Sequence, residues 1–457
     1  MREGFCVRQS LSPPQIIVIS FIAVILSGAT LLSLPVASVN GESVGFLDAL
    51  FTSTSAVCVT GLVVVTTASS WTLFGKIVLL VLIQLGALGA LTFFAFIITL
   101  FHRSLSLKTM LVIQASFNQD RMAQMNLLVK RVIAVTLIAE IVGAAFLTFG
   151  FLFNGYPIDQ ALGNGIFHAI SAFCNAGFDN IGVDGIIPLR NNVLITGVIS
   201  LLIISGGLGF TVWSELFSTW CDKRPLRLRV RHLSLHTKFT LSVTATLLIL
   251  GTLLFLLLEW KGTAFLGMNG PQKFSAAAFQ SVTLRTAGFN TIDNGKMTDA
   301  SKFLACVFML IGGSPAGTAG GFKTVTLGVI IASMLSALRG KKEVTAFGRS
   351  LPLDLLQKAL TVTSALLFVV LTATITLTFT EPQAEFVDLL FEVCSAAGTV
   401  GVSAGVTPTL SNAGKIIIIL CMFAGRLSPV TMVVALNAKL RTTVGGIRHP
   451  DERVIIG

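Results

Sequence analysis

Long apolar runs alternate with short ones along this chain, and the alternation recurs four times. Full-length runs occupy 15–35, 127–153, 237–259 and 357–380, and again 71–101, 191–217, 301–338 and 412–437. A helix rises about 1.5 Å per residue, so each is long enough to cross a hydrocarbon core of about 30 Å. Between the members of each pair lies an apolar stretch of about 12 residues, too short to span and therefore read as a re-entrant half-helix. Asp48, Asp159 and Asp388 stand near the starts of three of these stretches. A carboxylate there either complements the helix dipole at an aqueous end or is an ordinary solvated cap. Each short stretch runs into a small tetrapeptide: Val59-Thr60-Gly61-Leu62, Asn175-Ala176-Gly177-Phe178, Thr286-Ala287-Gly288-Phe289 and Thr399-Val400-Gly401-Val402. The glycines are 116, 111 and 113 residues apart. One such tetrapeptide carries no information, but four at a near-constant period define an internal repeat. Ten residues before the glycines stand Phe51, Phe167, Ala278 and Phe391, and six before stand Ser55, Ser171, Val282 and Ser395, so the third repeat departs at both positions.

The unit is span, half-helix, glycine segment, span. It predicts an all-α integral membrane fold: four tandem span–pore helix–span repeats around one central pore, with eight transmembrane helices. The predicted divisions are an N-terminus at 1–14, repeats at 15–101, 127–217, 237–338 and 357–437, and a tail at 438–457. Two spans per unit leave all four units in one orientation, and the charges agree. Twenty-two of the 32 lysines and arginines crowd into the N-terminus, 102–131, 218–238, 339–358 and the C-terminus, while most acids fall in the other connections. The positive-inside rule puts both termini in the cytoplasm. A mean hydropathy of +0.86 and only 12% charged residues suit a membrane protein. The net charge of +11 is not a nucleic-acid footprint, because no basic stripe carries interleaved aromatics. The seven cysteines form no C-x-x-C pair and read as small packing residues. The first apolar run is too long for a signal peptide and reads as a span.

Non-helical backbone at membrane depth is tolerated where it lines a path for water or ions. Four parallel strips around one axis can offer carbonyls in place of a cation's hydration shell, and half-helices aiming their C-terminal ends at the same axis favour a cation. The candidate filter residues are Val59, Thr60 and Gly61; Asn175, Ala176 and Gly177; Thr286, Ala287 and Gly288; Thr399, Val400 and Gly401. The second span of the third repeat is interrupted over 311–324, where Gly312, Gly313, Ser314, Pro315, Ala316, Gly317, Thr318, Ala319, Gly320, Gly321 and Lys323 disfavour a helix. Weaker counterparts are Gly86 to Gly89, Gly206 to Gly209, and Gly425 with Pro429. Their spacing from the filter glycines puts the interruption just beneath the filter on the cytoplasmic side, as a gate. It is a near miss of a phosphate-binding loop, with Phe322 where a glycine is required. Arg426, at comparable depth, reads as a positive barrier in the path or as an arginine held in an ion pair or on carbonyls. Arg285 reads as a clamp on the pore helix and His168 as scaffold; Glu140 either pairs with a basic residue or lines a helix interface, and Lys323 poses the same question as Arg426. The five histidines form no catalytic or metal-binding constellation, so an enzyme is not expected.

The four segments, with Arg285-Thr286-Ala287-Gly288-Phe289-Asn290 the most distinctive, resemble the superfamily of potassium transporters that includes TrkH, KtrB and the plant HKT proteins. The likeness is strongest to the KtrB membrane subunits of bacterial Ktr systems and runs from Ser12-Pro13-Pro14-Gln15 to Arg448-His449-Pro450-Asp451. The resemblance implies that the four glycines form a K⁺ selectivity filter, with Gly61 in its potassium-favouring state where a sodium-favouring subgroup carries serine. It implies that the glycine-rich loop is a gate and that Arg426 is a barrier. It further implies a homodimer with one pore per subunit, a tail packed into the dimer interface, and a bacterial plasma (inner) membrane location. A separate cytoplasmic KtrA-type ring would bind ATP or ADP, and this chain would bind no cofactor. Sodium is left as either co-transported or regulatory. The alternative function is a Na⁺/K⁺ symporter working by alternating access, which calls for inverted repeats or a substrate cavity at broken helices, whereas these repeats run parallel and converge on filter-like segments.

Overall fold

The computed structural model describes residues 12–89, 125–220, 225, 229, 231–341 and 343–427. The N-terminal eleven residues, most of the 102–131 linker, Pro429 and the tail at 438–457 lie outside them. Among the described residues, four helices are long and apolar enough to cross a membrane: α1 (Pro13–Leu32), α4 (Met125–Phe153), α8 (Leu235–Glu259) and α12 (Leu353–Thr380). They leave Ile141, Phe149, Leu253, Phe368 and Phe379 exposed on their outer sides, as bilayer hydrocarbon would require.

Each is followed by a short helix: α2 (Phe46–Val57), α5 (Ile158–Phe173), α9 (Gly270–Thr283) and α13 (Phe386–Gly398). The second apolar runs differ among themselves. In the first and fourth repeats, α3 (Leu73–Leu88) and α14 (Asn412–Leu427) reach the limit of the described residues. The second is not one continuous span over 191–217. It breaks at Leu208-Gly209 into α6 (Val193–Gly207) and α7 (Phe210–Trp220), whose axes diverge by 96°. In the third, α10 (Asp299–Leu310) and α11 (Thr324–Leu338) flank the interrupted segment. A small hairpin, β1 (Thr345–Ala346) and β2 (Arg349–Ser350), joins α11 to α12.

Side-chain caps start the second helices. Thr72 accepts from the Gly75 N–H at 3.3 Å, Asn192 from Leu194 and Ile195, Thr298 from Ser301, and Ser411 from Gly414, which satisfies otherwise orphaned donors. The helices pack in a closed order: α3 meets α5, α6 meets α9, α10 meets α13, and α14 returns to α2. Two ion pairs stitch this ring, Lys302–Asp388 at 2.7 Å and Lys415–Asp48 at 2.6 Å, each joining one repeat's second helix to the next repeat's short helix. Asp159, by contrast, is exposed in the first turn of its short helix.

Candidate functional site

The four glycine strips meet at one place. A Cβ on Gly61 would lie 2.5 Å from the Ala176 carbonyl oxygen; one on Gly177, 2.7 Å from that of Ala287; one on Gly288, 2.8 Å from that of Val400; and one on Gly401 would collide with that of Thr60. The contacts run once around a ring in chain order. Each glycine has positive φ (96°, 70°, 85° and 96°), and so does the residue two before it: Val59, Asn175, Thr286 and Thr399. Left-handed backbone at alternate residues lets successive carbonyls face the same side, a conformation that glycine adopts without steric cost. The amides turn the other way. Thr60, Ala176 and Val400 donate to the Ser55, Ser171 and Ser395 carbonyls at 2.7–2.8 Å, and Ala287 donates to Thr283 at 2.9 Å. The carbonyls of Thr60, Ala176, Ala287 and Val400 thus point inward and accept no hydrogen bond from any described residue. Four such oxygens at one level form a ring of partial negative charge, suited to a dehydrated monovalent cation.

The third strip turns its corner one residue sooner, which corrects the departure read from fixed offsets. Thr283, not Val282, occupies the serine position: its hydroxyl donates to the Phe289 carbonyl at 2.7 Å, as that of Ser171 donates to Phe178 at 2.7 Å. Phe279, not Ala278, is the buried counterpart of Phe51, Phe167 and Phe391. Ser55 and Ser395 instead accept from the Gly61 and Gly401 amides at 3.0 and 3.1 Å. A buried polar side chain on three short helices braces the loop beyond its strip. His168 accepts from the Asn180 N–H at 3.4 Å, Gln280 donates to Asn294 at 2.8 Å, and Glu392 accepts from Ser403, Ala404, Val406 and Thr407. His168 is therefore scaffold. Arg285 is buried and donates to Thr244 at 3.3 Å.

Outward of the ring lies a vestibule of about 310 Å³ lined by all four glycines and by Asp179, Asp184 and Asp293. Asp179 follows Gly177 by two residues, accepts from the Ile181 N–H at 3.3 Å, and has its pKa pushed up by burial to about 6.

The interrupted segment lies beneath the strips. Its ends close on each other: Gly312 donates to Phe322 at 2.9 Å and Thr324 to Gly313 at 3.0 Å. Its middle uses the carbonyls freed where α6 ends, with Ser314 donating to Gly207 at 2.8 Å and Thr318 to Gly206 at 3.2 Å, while Phe210 donates back to Ala316 at 2.9 Å. A Cβ on Gly320 would collide with the Thr399 hydroxyl, so the loop sits directly against the fourth strip. Thr318 is wholly buried and engages three elements: besides its amide bond, its hydroxyl donates to Phe173 at 3.1 Å and its carbonyl accepts from Arg426 at 2.5 Å. Arg426 also donates to Gly86 at 2.6 Å and Ala87 at 3.3 Å, so its guanidinium is held on backbone carbonyls. Lys323 folds onto its own loop and donates to Ala319 at 2.6 Å. A cavity of about 310 Å³ opens below, bordered by Gly86, Phe210, Ala316, Lys323, Arg426 and by Pro14, Ile17 and Phe21 of α1. The structure gathers the twelve residues singled out by spacing at one place, with the loop packed against them. The pivotal part of Thr318 and the braces Gln280 and Glu392 had no signal beyond being polar residues in apolar surroundings.

A family model described as a cation transport protein, TrkH, matches residues 7–442. The chain belongs to the TrkH family. Among family relatives, the Ktr system potassium uptake protein B of Bacillus subtilis is 39% identical, covering 98% of this chain and 97% of its own. The potassium/sodium uptake protein NtpJ of Enterococcus hirae is 37% identical, covering 99% and 98%. The crystal structure of the potassium transporter TrkH from Vibrio parahaemolyticus shares the fold, with a TM-score of 0.73 at 17% identity over 96% of this chain and 88% of that one.

Proposed function

We propose that this TrkH-family chain takes up potassium across the plasma membrane through one channel-like conduit formed by four span–pore helix–span repeats with eight transmembrane helices. The ring of four inward carbonyls at Thr60, Ala176, Ala287 and Val400 is the observation that carries this reading. Carbonyl oxygens replace the hydration shell, and the short helices contribute the negative ends of their dipoles. The vestibule carboxylates concentrate cations outside. The loop at 311–323 closes the inner side, with Thr318 held by Arg426 as its latch.

Potassium is the permeant ion we favour because the relatives named above are potassium or potassium/sodium uptake proteins. Sodium is then a second substrate or a regulator. The relative's name places it in a Ktr system, which supports further components; in this proposal they are a cytoplasmic nucleotide-binding partner docked on the basic linkers, with the membrane subunits paired as a homodimer. Potassium-limited growth of a transport-deficient bacterium carrying this chain, with and without a regulatory subunit, tests the reading; no growth with either combination would reject it. Gly61→Ser places a side chain against the Ala176 carbonyl and should erode preference for potassium over sodium, and undiminished discrimination would reject the filter.

A further inference from the structure

A buried carboxyl behind the second strip is unused in the account above. Glu140, on α4 at mid-membrane, is 6% exposed. Gln84 of α3 donates its amide N–H to both carboxyl oxygens, at 2.6 and 2.7 Å. The Cys174 thiol is directed at the same pair, 3.4 Å from the Gln84 oxygen and 3.7 Å from a Glu140 oxygen. Cys174 caps α5 and immediately precedes Asn175, the first residue of the second strip. Among the described residues no cation pairs with Glu140; Arg426, which grips α3 two and three residues beyond Gln84, spends its donors on backbone carbonyls.

A carboxyl this deep without a cation is costly unless something offsets it. Both neighbours present hydrogens to it, the arrangement that suits an acceptor-only, ionised group. Cys174, at the edge of the carboxyl, leads directly into the second strip, so a cation held there would offer counter-charge. We propose that Glu140 is a specificity-determining positioning residue for ion passage: through Gln84 and Cys174 it fixes the second strip, and it supplies counter-charge to the cation held there. The inference rests on the filter reading proposed above.

The test uses the full chain in proteoliposomes, with rubidium and sodium as the probe ions. Glu140→Gln keeps the shape and one of the two bonds from Gln84 but removes the charge. It should raise the apparent KM for rubidium about tenfold and lower discrimination against sodium, with maximal rate little changed. Cys174→Ala keeps the charge and removes the link, and should lower discrimination with a smaller change in KM. A purely structural Glu140 would leave KM and discrimination at wild-type values in both variants, and that result overturns the proposal. If Glu140→Gln fails to assemble, Cys174→Ala decides: reduced discrimination supports the link and unchanged discrimination overturns it. Wild-type liposomes that move no rubidium would instead defeat the filter reading itself.

Discussion

Arg426 separates two ways of closing the inner path, because a latch and an electrostatic barrier respond differently to the same substitutions. As a latch, its guanidinium spans three carbonyls on two elements, Thr318 on the loop and Gly86 and Ala87 at the end of α3. Only the bond to Thr318 holds the loop. A hydrogen bond from a charged group contributes about 1.5–3 kcal/mol, so Arg426→Met should shift the closed-to-open ratio toward open by about 10- to 150-fold. Thr318→Val removes the neutral bond to Phe173, worth about 0.5–1.5 kcal/mol, and should shift it by about 2- to 13-fold. Arg426→Lys is the deciding variant. An ammonium keeps the charge but is a compact point donor without the planar fork, so it cannot serve carbonyls on both elements as guanidinium does. A latch therefore leaks as Lys nearly as much as it does as Met. A barrier stays tight as Lys and leaks only as Met. Rubidium flux into liposomes holding the chain without any partner reads the leak directly. Basal flux in Arg426→Lys equal to wild type, alongside a leaking Arg426→Met, would refute the latch.

Other perturbations follow from the same geometry. Gly401→Ala pushes a methyl onto the Thr60 carbonyl at a φ of 96° and should abolish rubidium uptake while the protein still purifies as a monodisperse species; retained uptake would contradict the ring. Asp179 titrates near 6 because burial disfavours its charged form, so the vestibule carries that charge above pH 6 and loses it below. Apparent KM for potassium should therefore rise as external pH falls from 7 to 5, and Asp179→Asn at neutral pH should match acidified wild type and respond little to pH. Lys415→Met strands Asp48, a partner about a quarter exposed, and should cost about 1–3 kcal/mol of stability, seen as a lower melting temperature in detergent and partly recovered by adding Asp48→Asn.

Much of the site was legible because it is local. Each strip follows its short helix within a few residues, so the tetrapeptides and their period located the strips. Fixed offsets failed at the third repeat because a corner shortened by one residue moves every upstream match by one, turning Phe279 into Ala278 and Thr283 into Val282. Continuity of hydropathy ran 191–217 as one span, and only the glycines from Gly206 to Gly209 marked where it turns by 96°. The partners of Arg426 stand 108 and 340 residues away in sequence, and no pattern in one chain announces a hydrogen bond to a backbone carbonyl. Glu140 was visible as a costly charge, but its neutral partners, Gln84 and Cys174, were not.

The break in α6–α7 and the loop at 311–323 make sense only together. A helix ending at Gly207 leaves carbonyls without intrahelical donors, and a loop of backbone amides at membrane depth needs acceptors. The Ser314 and Thr318 amides meet the Gly207 and Gly206 carbonyls, and each defect satisfies the other. Small residues permit the approach: a Cβ on Gly206 would strike the Phe173 carbonyl, and one on Gly209 would come within 2.6 Å of that of Pro315. The loop belongs to the third repeat, yet it is held by α6 and Phe173 of the second and by Arg426 of the fourth, and through Arg426 by α3 of the first. Moving it must disturb all four repeats at once. A four-subunit pore would carry four equal loops, whereas a single chain can concentrate closure in one loop and let the other repeats hold it.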